Sequence, residues 1–390
     1  MRALFVCQPA YGHFHPLVPL ATACEDAGHD VAFAVSPSFV PMVEAAGFEA
    51  IAAGLDWLES EPERAFPETA GMAPEELGPF LFMQVFLEHA AAAMAGDLPA
   101  VCEQWSADLL VHESIEFGTP MAAERMGLPW ATVVVQATWP RSAWMDWLAP
   151  ALDRLRPDFG LPPDPTLERL FAGLRLACHP PSFELAGDPE RWVPGLRRLR
   201  PVPYDGPQPP PPWLEELGGG ERPSVLVTLG TVFNRSGSDV LGTVVRALGE
   251  EPVDVVVAAG HAATDFGALP DNVRVEPWVP LSAAARVVDV VGGHGGWGTT
   301  TATLAAGKPS LVLPQGADQP DNAFRVAAAG AGLCLSRAEV TGEAVRAAVR
   351  ELLEEPLYFA NAQRLRRELE AMPSPAEVVP FLVEATQPPG

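Results

Sequence analysis

Twice along the chain, short apolar runs alternate with stretches of helical spacing, and a break rich in proline and glycine separates the two series. In the first series "RALFVC", "HDVAFAVS" and "FEAIAAG" read as strands, with "LVPLATACEDAG" and "PSFVPMVEAAG" as the helices between them. In the second, "SVLVTLGT", "VDVVVAAG", "NVRVEPWVP", "RVVDVVGG" and "PSLVLP" read as strands, and "DVLGTVVRALGE" and "TTTATLAAG" as helices. Strands separated by helices pair in parallel through right-handed crossovers. Ligands of such sheets sit outside the carboxyl ends of the strands, so the loops there are where chemistry is expected.

The middle of the chain adds two more strands to the first series, "DLLVHES" and "WATVVVQATW". Residues 200–223, "RPVPYDGPQPPPPWLEELGGGERP", carry no periodicity and read as a linker, semi-rigid where the prolines cluster. The tail "AEVVPFLVEATQ" reads as a last helix that folds back on the first half. With 390 residues the chain exceeds one ordinary core. The expected division is 1–205, a linker at 206–222, a second domain at 223–372, and a returning tail at 373–390.

Charge removes some partners. A formal net charge of -25 repels nucleic acid and anionic membranes. The five cysteines are scattered and lack metal-like spacing, so they read as free thiols of a reducing compartment. The N-terminal apolar stretch is short for a secretory segment, and no unbroken apolar run of membrane-spanning length is evident. A cytoplasmic protein is expected. An anionic ligand would have to be met by a local pocket of amides.

Such a pocket is suggested by "GGHGGWGTT", residues 292–300, between a strand and a helix start. Amides there converge on a helix N-terminus, which favours phosphate, and His294 and Thr299 can add directed hydrogen bonds. The spacing fits neither a Walker A loop nor the dinucleotide fingerprint, so a tight packing turn is the bland alternative. Three more strand ends carry polar or aromatic signals. Asp318 and Gln319 in "LPQGADQPDNA" suit sugar hydroxyls, Trp278 in "EPWVP" offers a stacking face, and Gly230 and Thr231 follow "TL" beside a helix start.

In the first half, Gly12 and His13 stand in "AYGHFHP" after the first strand. A histidine there suits proton abstraction, and a carboxylate would orient its ring. Asp108 and Glu113 are the candidates, and Glu113 is preferred because it lies at its strand's carboxyl end. His15 forms an H-x-H pair with His13, but no third metal ligand is evident.

Together, "GHFHP", "LGT", "EPWVP", "HGGWGTT" and "DQPDNA" resemble the nucleotide-sugar-dependent glycosyltransferases that decorate natural products, over nearly the whole chain. The resemblance implies an α/β, GT-B fold, with two Rossmann-like doubly wound domains facing each other across a cleft. It implies that His13 is the general base and that Glu113 pairs with it, where the family more often has aspartate. It assigns donor binding to Gly12, Gly230, Thr231, Trp278, Val279, His294, Gly295, Gly296, Gly298, Thr299, Asp318 and Gln319. Phe82, Phe86, Trp139 and Trp144 are expected to contact an apolar or aromatic small-molecule acceptor. The nucleotide-sugar is a substrate, and neither cofactor nor metal is implied. Relatives that use UDP-sugars carry a glutamate for the ribose hydroxyls where this chain has Ala302. A deoxyribose lacks the 2'-hydroxyl, so a dTDP-sugar is favoured, and the chain resembles bacterial members of the family that transfer deoxysugars from dTDP donors. The reaction implied is inverting transfer, in a monomer or a homodimer. The rivals are a UDP-sugar-dependent transferase, a nucleotide-sugar epimerase on the same fold, and a non-catalytic helper of a partner transferase.

Overall fold

The computed structural model describes residues 1–135, 144–185, 195–230, 240–260 and 266–387. Its two parallel sheets match the two series. The first contains β1 (Arg2–Val6), β2 (Asp30–Val35), β3 (Glu49–Ala52), β4 (Leu109–Glu113), β5 (Trp130–Val134), β6 (Leu174–Ala177) and β7 (Leu196–Arg198), in the order β3-β2-β1-β4-β5-β6-β7. The second contains β8 (Ser224–Thr228), β9 (Asp254–Ala258), β10 (Val273–Glu276), β11 (Val290–Gly293), β12 (Ser310–Val312) and β13 (Gly332–Cys334), in the order β10-β9-β8-β11-β12-β13. In both, the strand order reverses beside the first strand: between β1 and β4, and between β8 and β11. A crevice opens at such a switch point.

The central strands are buried on both faces, which explains their unbroken apolar sequences. Leu4 of β1 pairs with Ala32 and with Leu110, and all three side chains are fully buried. Helices cover both faces. Val18–Asp26 buries Leu20, Ala21 and Cys24, then stops where Gly28 takes φ +82°, a left-handed conformation that a side chain would strain.

Three strands escape the sequence reading. β6 carries the buried Arg175 and β7 reads "LRR", so neither shows an apolar run. β13 is three residues long and starts at a glycine. The break at 200–223 also holds more order than expected: Trp213–Gly218 is helical, and Leu214 is buried among Leu226, Val256 and Val279 of the second domain. A continuous helical run, Glu76–Trp105, is long and apolar enough by length and composition to cross a bilayer, contrary to the expectation. It turns through a π-helical stretch at Leu81–Ala90, and Leu81, Val85, Phe86, Leu87 and Leu98 on it are buried in the first domain. Glu88, His89 and Asp97 interrupt its apolar character.

The chain crosses between domains twice. After the second sheet, the helix Pro375–Ala385 packs on Val18–Asp26, and Val378, Val379 and Leu382 join the core of the first domain. A full capping box starts this helix, with Ser374 and Glu377 bonding each other's backbone N–H. The outgoing and returning segments also touch each other, because the Arg200 N–H donates to the Pro373 carbonyl at 2.8 Å.

Candidate active site

The crevice between the domains is a cavity of about 1660 Å³. One drug-sized ligand fills about 300–1,000 Å³, so this space suits two substrates together.

On the first domain's rim, the chain leaves β1 and makes one helical turn, Tyr11–Phe14, which carries His13 into the cavity. Nδ1 of His13 lies 3.1 Å from Oε1 of Glu113, in charge contact but without hydrogen-bond alignment. Glu113 ends β4, the strand across the switch point from β1. It is fully buried and held by backbone N–H groups, with Ile115 donating to Oε2 at 2.5 Å and Gln8 to Oε1 at 3.3 Å. Asp108 sits at the opposite end of the strand, where it accepts the Arg2 N–H at 2.7 Å. The other ring nitrogen, Nε2, lies 3.3 Å from Oε2 of Glu59, and the Phe86 ring meets the imidazole edge-on at 5.9 Å. Burial alone would lower the His13 pKa, but the two carboxylates raise it well above the ordinary histidine value.

Glu59 is absent from the sequence reading. It lies in "DWLESEPER", a turn without periodicity, seven residues beyond the end of β3. The only available signal was an acidic residue following a strand on the same rim as His13.

On the second domain's rim, His294 follows β11 and faces Gly230, which follows β8. The glycines here serve mainly to fit that ring. A Cβ on Gly296 would lie 2.3 Å from His294 Nε2, and one on Gly230, at φ +73°, would lie 2.6 Å away. Gly295 has its own role, and its expected ligand contact is corrected by the structure. It is buried away from the cavity at φ +86°, where a Cβ would meet Val312 at 2.8 Å, and its carbonyl accepts from Asn322 at 2.8 Å. Gly298 alone of these loop glycines has open space around its Cβ position, on the cavity side. The helix Trp297–Ala306 starts at Gly296 without a side-chain cap, so its first N–H groups point into the cavity with the positive end of the helix. Thr299 lines the same spot. Burial lowers the His294 pKa to about 4, so at neutral pH the ring offers hydrogen bonds rather than charge.

Asp318 ends the loop after β12 and Gln319 opens the helix Gln319–Ala328 that follows, both on the cavity. Gln319 is buried and turned inward, its side-chain carbonyl accepting the N–H groups of Gln315 at 2.7 Å and Gly316 at 3.2 Å. Asp318 accepts from Asn322 at 2.9 Å, and burial raises its pKa to about 6. Trp278 is 53% exposed on the cavity wall, beside the buried Val279 and Ala302. Gly12, Phe82 and Phe86 line the cavity on the first domain. Trp144 does not: it is 2% exposed and packs on Phe171 with ring centroids 5.3 Å apart, because the helix it begins buries that face in the core. Trp147, one turn on, is 55% exposed and takes the lining place expected of Trp144. Thr231 and Trp139 lie outside the described residues.

Two doubly wound domains, with helix-start amides on one rim and a carboxylate-flanked histidine on the other, form the architecture of GT-B glycosyltransferases. Residues 74–230 match the model of the erythromycin biosynthesis protein CIII-like N-terminal domain, and residues 242–385 match that of its C-terminal domain. The chain is 32% identical to the 4'-demethylrebeccamycin synthase of Lentzea aerocolonigenes, over 98% of both chains. It is 30% identical to the aclacinomycin-T 2-deoxy-L-fucose transferase of Streptomyces galilaeus, over 99% of this chain and 96% of that one. Among solved structures, spinosyn forosaminyltransferase SpnP and glycosyltransferase VinC in complex with dTDP each superpose with a TM-score of 0.80, at 28% identity over 99% of both chains. The chain belongs to this family of natural-product glycosyltransferases.

Proposed function

We propose that the protein transfers a deoxysugar from a dTDP-sugar to a hydroxyl of an apolar, ring-bearing natural product, with inversion at the anomeric carbon. The observation that carries this reading is the placement of His13, backed by the buried Glu113, across one cavity from the uncapped helix at Gly296–Thr299. A donor whose diphosphate rests on those amides presents its anomeric carbon toward the first domain. The acceptor hydroxyl gives its proton to Nε2 of His13 as its oxygen bonds that carbon from the face opposite the diphosphate. The bond to the diphosphate breaks at the same time, and helix amides with the neutral His294 ring receive its charge. Asp318 and the amide nitrogen of Gln319 are assigned to the sugar, and Trp278 with Val279 to the base.

The thymidine preference rests on Ala302, which puts a methyl group on the cavity wall where a ribose-binding carboxylate would otherwise stand. VinC, whose structure was solved in complex with dTDP, supports it by likeness. Calorimetric titration with dTDP and with UDP tests the preference: equal affinity, or tighter UDP binding, removes it. His13→Ala tests the base. Transfer is expected to fall by about 10²–10⁴-fold, the usual range of general base catalysis, while dTDP affinity stays unchanged. Chelators are expected to leave turnover intact, because amides rather than a cation meet the diphosphate.

A further inference from the structure

The two carboxylates that flank His13 are built differently. Glu113 is fully buried at the end of β4, and two backbone N–H groups hold its oxygens in place. Glu59 stands on a turn at the cavity wall with its side chain 13% exposed, and among the described residues no backbone amide donates to its carboxylate. Its backbone N–H is anchored on the Pro9 carbonyl at 3.3 Å, which keeps the turn beside the His13 loop and leaves the side chain to rotate. One partner of the ring is fixed and the other is removable.

Glu59 also occupies a place that another group needs. Glu113 takes Nδ1 from the sheet side, so the nitrogen open to the cavity is Nε2. A base must come within about 2.6–3.2 Å of the hydroxyl it deprotonates, and the Glu59 oxygen at 3.3 Å fills that approach. A carboxylate against each nitrogen favours the charged ring, and the Glu59 oxygen stands where a substrate hydroxyl would meet Nε2.

We propose that Glu59 is a positioning residue that guards the base: it holds Nε2 of His13 until an acceptor hydroxyl displaces it, and as its carboxylate leaves, the Nε2 proton leaves with it to solvent, so the ring is freed to accept the hydroxyl proton only when an acceptor is seated. The proposal rests on His13 being the base. Its benefit is protection of the donor. Were Nε2 free beside a bound nucleotide-sugar, a water molecule there could give its proton to the ring while its oxygen bonds the anomeric carbon. The bond to the diphosphate would break, and free sugar and nucleoside diphosphate would be lost without transfer. Other titratable groups around the ring are Asp318 across the cavity, and Glu116 with the neutral Cys7 thiol behind Glu113; none of them pairs with Nε2 as Glu59 does.

The test is Glu59→Gln in the full chain, which keeps size and removes charge. The acidic limb of kcat/KM for the acceptor, which reports the acceptor-free enzyme, is expected to move to lower pH by about one unit or more, the usual effect of losing a carboxylate within 4–6 Å. The acidic limb of kcat, which reports the acceptor-bound enzyme, should stay. Hydrolysis of dTDP-sugar without acceptor should rise severalfold. Limbs that move together, limbs that both stay, or unchanged hydrolysis would each overturn the guard. Should the variant fold poorly, carbon-detected NMR of the His13 ring in the unaltered protein replaces it, with a fall in ring pKa on acceptor binding expected and a constant pKa overturning the idea. Transfer surviving in His13→Ala would overturn the base itself, whereas a silent Glu59→Gln beside an inactive His13→Ala would overturn only the guard.

Discussion

At the residue scale, the site is arranged around two histidines held in opposite protonation states. His13 is flanked by carboxylates that favour its charged form, whereas burial keeps His294 neutral. The sign for His13 follows directly. Its folded pKa is raised above the unfolded value, so its stabilising contribution is complete below about pH 6.5 and fades as the pH climbs through the folded pKa. In the proposed base role catalysis runs the other way, because a base must be deprotonated. The acidic limb of kcat/KM is therefore expected above about 6.5, and a limb at or below that value would show that the carboxylates do not act on the ring. The glycines give a second prediction. Gly296→Ala drives a Cβ to 2.3 Å from the His294 ring, so the ring must move. Affinity for dTDP should fall about tenfold or more, roughly 1.4 kcal/mol, as calorimetry would read it.

At the element scale, strand ends carry function because each loop after a strand opens on the same rim. That rule made much of the site legible in sequence: His13, Glu113, Trp278, His294, Asp318 and Gln319 all follow or end strands that read clearly as apolar runs. What stayed illegible had physical reasons. Glu59 projects from a turn with no pattern to place it. Gly295 and Gly296 look alike in sequence, yet one supports the packing of Val312 and the other clears space for a ring. Trp144 and Trp147 differ by three residues on one helical segment, and only the packing of that segment decides which faces the core. Their separation is testable. Trp144→Ala should cost about 3–5 kcal/mol by denaturant unfolding, as a large aromatic removed from a core does. Trp147→Ala should leave the unfolding midpoint in place and raise KM for the acceptor.

At the scale of the whole molecule, the two-domain plan was readable from the doubled alternation and the proline-rich break, because periodicity survives without any view of contacts. The short strands β6, β7 and β13 were not, since burial of Arg175 and brevity erase the apolar signal. The returning helix sets a stability prediction. Truncation at residue 373 would expose partners of Val378, Val379 and Leu382, each worth on the order of 1.5–3 kcal/mol when buried. The shortened protein should melt at lower temperature, and an unchanged melting curve would show that the helix adds nothing to the first domain's core.

The paired crossings also constrain how the cavity can open. A single tether would let one half swivel freely about the other. Here the two connecting segments lie side by side and are bonded through Arg200 and Pro373, so together they act as the pin of a door. Any opening of the cavity is therefore expected to turn about that pin, so that the His13 loop and the helix start at Gly296 approach or separate along one arc.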